Sequence, residues 1–341
     1  MLFNKPPKKT PELNEILDNH IGKYVKSAAI KNIMMATILA ISAFVMVKNL
    51  VNDNEDTEAF IAVIRIDGEI AQGKQASASV FAKALEKASL NEHTKAIVIL
   101  ANSPGGSPVM AESINGQIID YKQNRQARET AKEKLKADFP NIGDDGQQLR
   151  KWPDIIVSIE DVCASACLAS IASADTIYSH ENSLVGSIGI RMDSFGVDGL
   201  LQKVGVERQV LTSGRYKDLT DPYRTMSETE KSFIREQLLN PLHMNFISLM
   251  KTARGSKLSQ DENTLFSGMI WSGEQAQQLG LVDEIMTTER LLTKLKEKHK
   301  TKNIKMMINE PFSIHKLISG SISNGISESL NTAVNSNAKL Y

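Results

Sequence analysis

Cysteine is nearly absent, with Cys163 and Cys167 the only two in 341 residues. Two thiols cannot build a disulfide framework, and with no second Cys/His pair beside them they cannot make a zinc site, so neither a metal nor a cofactor is expected. The pair closes into a disulfide only if the local backbone brings its Cα atoms within about 7 Å, and the reading favoured here is two free, buried thiols. Net charge is absent too: 40 Lys and Arg balance 40 Asp and Glu. No overall positive field draws the chain to nucleic acid, and no nucleic-acid partner is expected. The six histidines, His20, His93, His180, His243, His299 and His315, stand in no recognisable triad setting. What is present, 41% hydrophobic and 23% charged residues, suffices for a substantial core.

An uncharged apolar run covers 33–47. Extended back through 27–32 it reaches the roughly 20 residues of a spanning helix, with Lys31 free to snorkel towards headgroups. Lys5, Lys8, Lys9, Lys23 and Lys26 precede it, and Asp53, Glu55, Asp56 and Glu58 follow it. The positive-inside rule then puts the N-terminus in the cytoplasm and the remainder outside. A cleaved signal peptide is the rival reading, disfavoured by the long stretch before the apolar core and the lack of a clean small-x-small site. The expected organisation is a basic cytoplasmic segment (1–26), an anchor (27–48), an acidic linker (49–58), a main domain (59–290) with a charged insertion (122–151), and a tail (291–341).

In the main domain, 60–70 alternates like a strand and turns at Asp67-Gly68, while 96–102 and 154–160 are continuous apolar runs of strands buried on both faces. Residues 77–90 read as a helix, another helix runs to Ala172, and short strands are expected near 176–178, 187–190 and 206–213. Strands alternating with helices argue for a layered α/β domain with parallel pairing. Ser227 and Glu230 have capping-box spacing and open a long amphipathic helix interrupted by Pro241. The insertion 122–151 is of mixed charge and reads as a solvated helical extension plus loop.

Chemistry could sit at three places. Ser165 follows a buried strand and begins a helix, where its hydroxyl and the N–H of Ala166 can face one carbonyl. The competing explanation is an ordinary helix cap. Gly105 and Gly106 also follow a buried strand, and glycines there can turn backbone N–H groups outward as an oxyanion hole, or simply make a Pro-Gly turn. Lys217 lies in a Gly-containing turn segment, and lysine replaces histidine as a base only when burial lowers its pKa from roughly 10.4.

Read in order, the segments IDGEI, ANSPGG, that of Ser165, LVGSIGI, SGRYKD, the stretch from Pro222 to Ser227 and the closing GLVDEI resemble the signal peptide peptidase A (protease IV) family of serine peptidases. The resemblance runs from about Phe60 to Ile285. It implies a Clp-protease/crotonase-like fold and a Ser-Lys dyad of nucleophile Ser165, ten residues ahead of Asp175, and base Lys217, 52 residues on. It implies Gly105 or Gly106 with Ala166 as oxyanion donors, and places Ser187 and Arg191 near the site, Ser187 as a hydroxyl that could hold the lysine amine. Peptide or membrane-protein substrates, a membrane location and a homo-oligomer whose protomers share the dyad are further implications. Ala166 and Cys167 replace the family's two glycines after the serine, Leu168 its aromatic, and the insertion is longer than its norm. Two other readings follow from the residues: a silent peptide-binding scaffold of the same fold, and a thiol enzyme using Cys163 or Cys167.

Overall fold

Alternation along the first strand determines how the body is layered. The computed structural model describes residues 35–38, 42, 58–138, 152–259 and 261–307. Two units are distinguished, Met1–Thr57 and Glu58–Tyr341. In the first, residues 35–38 and 42 are helical. The expected anchor at 27–48 otherwise lies outside the described residues, as do 1–26, 49–57, 139–151 and 308–341. Among the described residues no helix is long and apolar enough to cross a membrane.

The second unit carries one eight-stranded sheet, ordered β6-β5-β3-β2-β1-β8, with β4 beside β3 and β7 beside β4. Its strands are β1 (Phe60–Asp67), β2 (Thr94–Ser103), β3 (Ile155–Ala164), β4 (Thr176–Ser179), β5 (Leu184–Gly186), β6 (Ile270–Ser272), β7 (Glu284–Ile285) and β8 (Asn303–Met306). All pairings are parallel except β5 with β6. The helices are α1 (Ala78–Leu90), α2 (Pro108–Asp138), α3 (Ala166–Ile171), α4 (Asp198–Lys203), α5 (Glu228–Ile234), α6 (Asn240–Arg254), α7 (Glu262–Leu265), α8 (Gly273–Gln278) and α9 (Thr288–His299). This is the layered α/β arrangement expected from the alternating pattern.

Phe60, Ala62, Ile64 and Ile66 face a core shared with α1, α2 and α3, while Ile61 and Val63 face a second core closed by Leu291 and Leu295 of α9. Each of those leucines contributes roughly 1.5–3 kcal/mol by leaving water. The body therefore extends beyond the boundary expected at 290. Helix α9 covers one sheet face and β8 pairs with β1, so 291–307 belongs to the domain rather than to a tail.

Two short strands are not found. Residues 187–190 follow the end of β5 without strand pairing, and 206–213 is exposed and unpaired, with Leu211 fully exposed. Alternating side chains favour an extended backbone, but a strand also needs a neighbouring edge, and none of the described strands pairs with this segment. The long helix after Ser227 starts as expected, with the reciprocal capping box of Ser227 and Glu230. It then passes through a π-helical turn, Arg235–Leu239, before α6, where Pro241 stands in the first turn and its missing N–H is harmless.

The helical part of the insertion is α2, which runs to Asp138. Tyr121 donates to the carbonyl of Pro153 at 2.7 Å and stacks on Trp152, and Arg128 covers the Trp152 ring. Arg125 grips both oxygens of Asp175 at 2.8 and 2.7 Å, and Asp175 also accepts the N–H of Ile155, first residue of β3. Burial pushes the Asp175 carboxyl up, but Arg125, the Ile155 N–H and Lys122 outweigh it and hold it below the ordinary Asp range. The strand leading to Ser165 is thus clamped at its start.

Candidate active site

Strand β3 delivers Ser165 to the sheet's C-terminal edge. Residues 162–164 pair with β5, and Cys163 also stands opposite Ser103 of β2. Ser165 then turns the chain into α3 at φ 53°, ψ −119°. Its N–H donates to Gly186 O at 2.8 Å, and its carbonyl accepts from Ala169 N at 3.1 Å. Both flanking peptide groups are therefore fixed, while the side chain makes no capping hydrogen bond. Ser227, Ser272 and Thr287 are genuine caps in this chain, each extended and each accepting a backbone N–H. Ser165 shares none of that geometry, so its hydroxyl is not engaged as a cap.

The glycine turn after β2 comes to the same place. A Cβ built on Gly105, at φ 114°, would lie 3.0 Å from Ser165 Cβ, 3.0 Å from Ala164 O and 3.3 Å from Ala166 N. Gly106, at φ 150°, lies against Ile70, whose carbonyl would be 2.2 Å from a Cβ there. Ile70, the last residue of the IDGEI segment, holds this turn through Ile70 N–H to Gly105 O and Ser107 N–H to Ile70 O. The Gly105 N–H is already used, donating to Ser103 Oγ at 3.1 Å. Gly106 N–H makes no hydrogen bond among the described residues, and Ala166 N–H, at the first position of α3, stands outside the helical ladder.

Half-buried Ser165 opens into a cavity of about 610 Å³ between α2, α3 and α6. Ala166, Ala169, Ile119, Phe246 and Leu249 give it a largely apolar wall, with Glu112 and Asn115 among its polar groups.

Lys217 is not brought to this cavity. It is exposed, makes no ion pair among the described residues, and does not line the cavity. Its loop is nevertheless built with care by a residue not singled out from sequence. Arg224 donates to the carbonyl of Asp218 at 3.2 and 3.0 Å and to both oxygens of Glu230 at 2.9 and 2.7 Å. Glu230 also completes the capping box of Ser227, and Tyr216 stacks on Phe233. The Arg224 guanidinium, followed by the Ser227 backbone and hydroxyl, lowers the Glu230 carboxyl to about 2. The available signal was an arginine six residues ahead of a capping-box glutamate, which suggests a pair but not its target.

Ser187, half-buried at φ 54°, donates its N–H to Met269 O and directly follows the Gly186 carbonyl that holds Ser165. Arg191 is exposed, pairs with Asp193 at 3.0 Å and does not itself line the cavity, although its neighbour Ile190 does. The expectation of free thiols is corrected: Cys163 and Cys167 are joined in a disulfide with Cα atoms 5.1 Å apart. A strand end followed at once by a helical turn brings them within bonding reach. Neither is a free thiol, which removes the thiol-enzyme reading.

A serine on a strained strand-to-helix turn, packed against Gly105 and lining a cavity, gives a mixed α/β protein a site suited to acyl transfer. Comparison with known proteins identifies the class. The description Peptidase family S49 matches residues 147–302. A protein of Synechocystis sp. named as a protease is 30% identical over 234 residues, covering 68% of this chain and 72% of its own length. Protease 4 of Haemophilus influenzae is 26% identical over 70% of this chain and 34% of its own length. The Na(+)/H(+) antiporter NhaA of Brucella abortus is 33% identical over 70% of this chain, which spans only 29% of that protein. The chain belongs to peptidase family S49, a family of serine-type peptidases.

Proposed function

We propose that this chain is a membrane-anchored serine endopeptidase working by a Ser165–Lys217 dyad on a Clp-protease/crotonase-like fold. The observation that carries the reading is Ser165 on its strained turn, making no capping hydrogen bond, packed against Gly105 and opening with Ala166 into one cavity. Ser165 Oγ attacks the scissile carbonyl, Lys217 Nζ takes its proton and returns it to the leaving amine, and the Gly106 and Ala166 N–H groups hold the oxyanion. Because Gly105 N–H is bound to Ser103, Gly106 is the donor on the glycine side.

The base is supplied by a neighbouring protomer. Supporting this are the exposure of Lys217 away from the cavity and the apolar side chains exposed around its loop, among them Phe195, Leu200, Val206 and Leu211. Burial against a second copy would desolvate the ammonium, as base catalysis by lysine requires. The substrates proposed are extended apolar segments of signal-peptide remnants or of membrane or misfolded proteins, taken at the outer face of the cytoplasmic membrane. The largely apolar wall of the cavity and the charge asymmetry about 33–47 support this.

Co-expression of Ser165→Ala and Lys217→Ala chains tests the shared dyad. Each variant alone is expected to be inactive and the mixture to regain part of the wild-type turnover. Wild-type cleavage with no recovery in the mixture would contradict it. The separation of Lys217 from Ser165 also suits the silent-scaffold reading, which requires that the wild-type assembly bind peptides without cleaving them.

A further inference from the structure

The nucleophile sits at the centre of the disulfide. Cys163 is the penultimate residue of β3, Cys167 the second of α3, and Ser165 lies two residues from each. The backbone at Ser165, φ 53° with ψ −119°, falls outside the left-handed helical well as well as the extended and right-handed ones. Such conformations cost roughly 1–3 kcal/mol and persist only where the surroundings over-determine them. Hydrogen bonds to Gly186 and from Ala169 fix the adjoining peptide groups, and the disulfide ties together the strand and helix that those groups join.

We propose that the Cys163–Cys167 disulfide is a positioning element for the nucleophile, holding the Ser165 turn in the conformation needed for attack. This rests on the reading of Ser165 given above. Three observations favour this role over a general structural one. Stabilisation by a disulfide grows with the length of chain it closes, and this one joins residues only four apart in sequence, so its effect is local. Cys163 stands in register with Ser103 of β2 and Val185 of β5, the strands that lead to Gly105 and Gly186. The bond therefore joins α3 to the strand between the two elements carrying the remaining backbone contacts of the site. Both cysteines are also fully buried, so neither sulfur faces the cavity as a reactant.

Burial also sets how the bond responds to reductant. A dithiol would break the S–S bond by adding two electrons and two protons, giving two thiols and becoming a disulfide itself. It reaches the sulfurs only when the turn opens, so the native enzyme is expected to resist mild reduction.

The test uses the full-length assembly and three proteins: wild type, Cys163→Ala/Cys167→Ala and Ser165→Ala. Steady-state cleavage of an apolar fluorogenic peptide is measured together with the rate of fluorophosphonate labelling. For the double variant kcat and the labelling rate are expected to fall about 10- to 100-fold, with KM within about twofold and circular dichroism unchanged, as expected when a reacting group is misplaced by about an ångström. Wild type reduced in moderate urea, returned to buffer and assayed before reoxidation is expected to match the variant, and to recover on reoxidation. That arm decides the matter if the double variant does not fold. A double variant with wild-type kcat and labelling, alongside an inactive Ser165→Ala, would overturn the positioning role while leaving the serine reading intact. Full activity in Ser165→Ala would instead overturn the serine reading itself.

Discussion

Gly105 and Ser165 approach each other so closely that no side chain fits between them: a Cβ on Gly105 would stand 3.0 Å from the Ser165 Cβ. The two residues are 60 apart in sequence and are joined by the parallel pairing of β2 with β3. Gly105→Ala adds this contact to the strain of a residue at φ 114°, about 1–3 kcal/mol. The expected outcome is a modest loss of stability in denaturant unfolding with a fall in kcat of about 100-fold, because the turn bearing the proposed oxyanion donor must move. An Ala variant with unchanged kcat would show that the glycine turn takes no part in the reaction.

Glu230→Gln tests the tether of the Lys217 loop. With its folded pKa lowered from 4.5 to about 2, Glu230 contributes stability that is fully present above the ordinary Glu pKa and is lost as pH falls towards 2. The urea midpoint of the variant is therefore expected below that of wild type at neutral pH, with the difference closing as pH falls through that window. Arg224→Gln is expected to lower kcat more than stability, since it releases Asp218, the residue next to Lys217.

Asp175→Asn addresses the clamp at the start of β3. The net depression of this carboxyl means that its contribution exists above the ordinary Asp pKa and is lost as pH falls below it. Loss of about 3 kcal/mol is expected at neutral pH, as when one partner of a partly buried ion pair is removed. Paired urea titrations of wild type and variant, repeated below pH 4, are expected to converge.

Much of this was legible because it depends on local pattern. Apolar runs announced β2 and β3, Asp67-Gly68 ended β1, and the Ser227 box opened α5. The composition of 206–213 suggested a strand, but strand formation depends on a neighbour that sequence does not specify. The tail boundary failed for a related reason: Leu291 and Leu295 look like half of an exposed amphipathic helix until the sheet face they cover is known. At the site, small residues around Ser165 pointed equally to a cap and to a nucleophile. Its φ and ψ and the absence of a capping hydrogen bond set it apart from an ordinary cap. That the Gly105 N–H is already engaged became visible only with the Ser103 hydrogen bond, and the cysteine pairing required the geometry of a strand-to-helix turn.

Lys217→Arg probes the base. Guanidinium stays protonated and cannot accept the serine proton, so kcat is expected to fall by about 10²–10⁴. The rising limb of the pH–rate profile is expected to vanish or move with it. A profile identical to wild type would exclude Lys217 as the base.

The most direct test of the account is the site of covalent labelling by a fluorophosphonate, read by peptide mass spectrometry on the full-length assembly. A single adduct on the peptide containing Ser165, absent in Ser165→Ala together with peptide cleavage, is the predicted result. Cleavage that persists in Ser165→Ala, or an adduct on another residue whose removal abolishes activity, would contradict it.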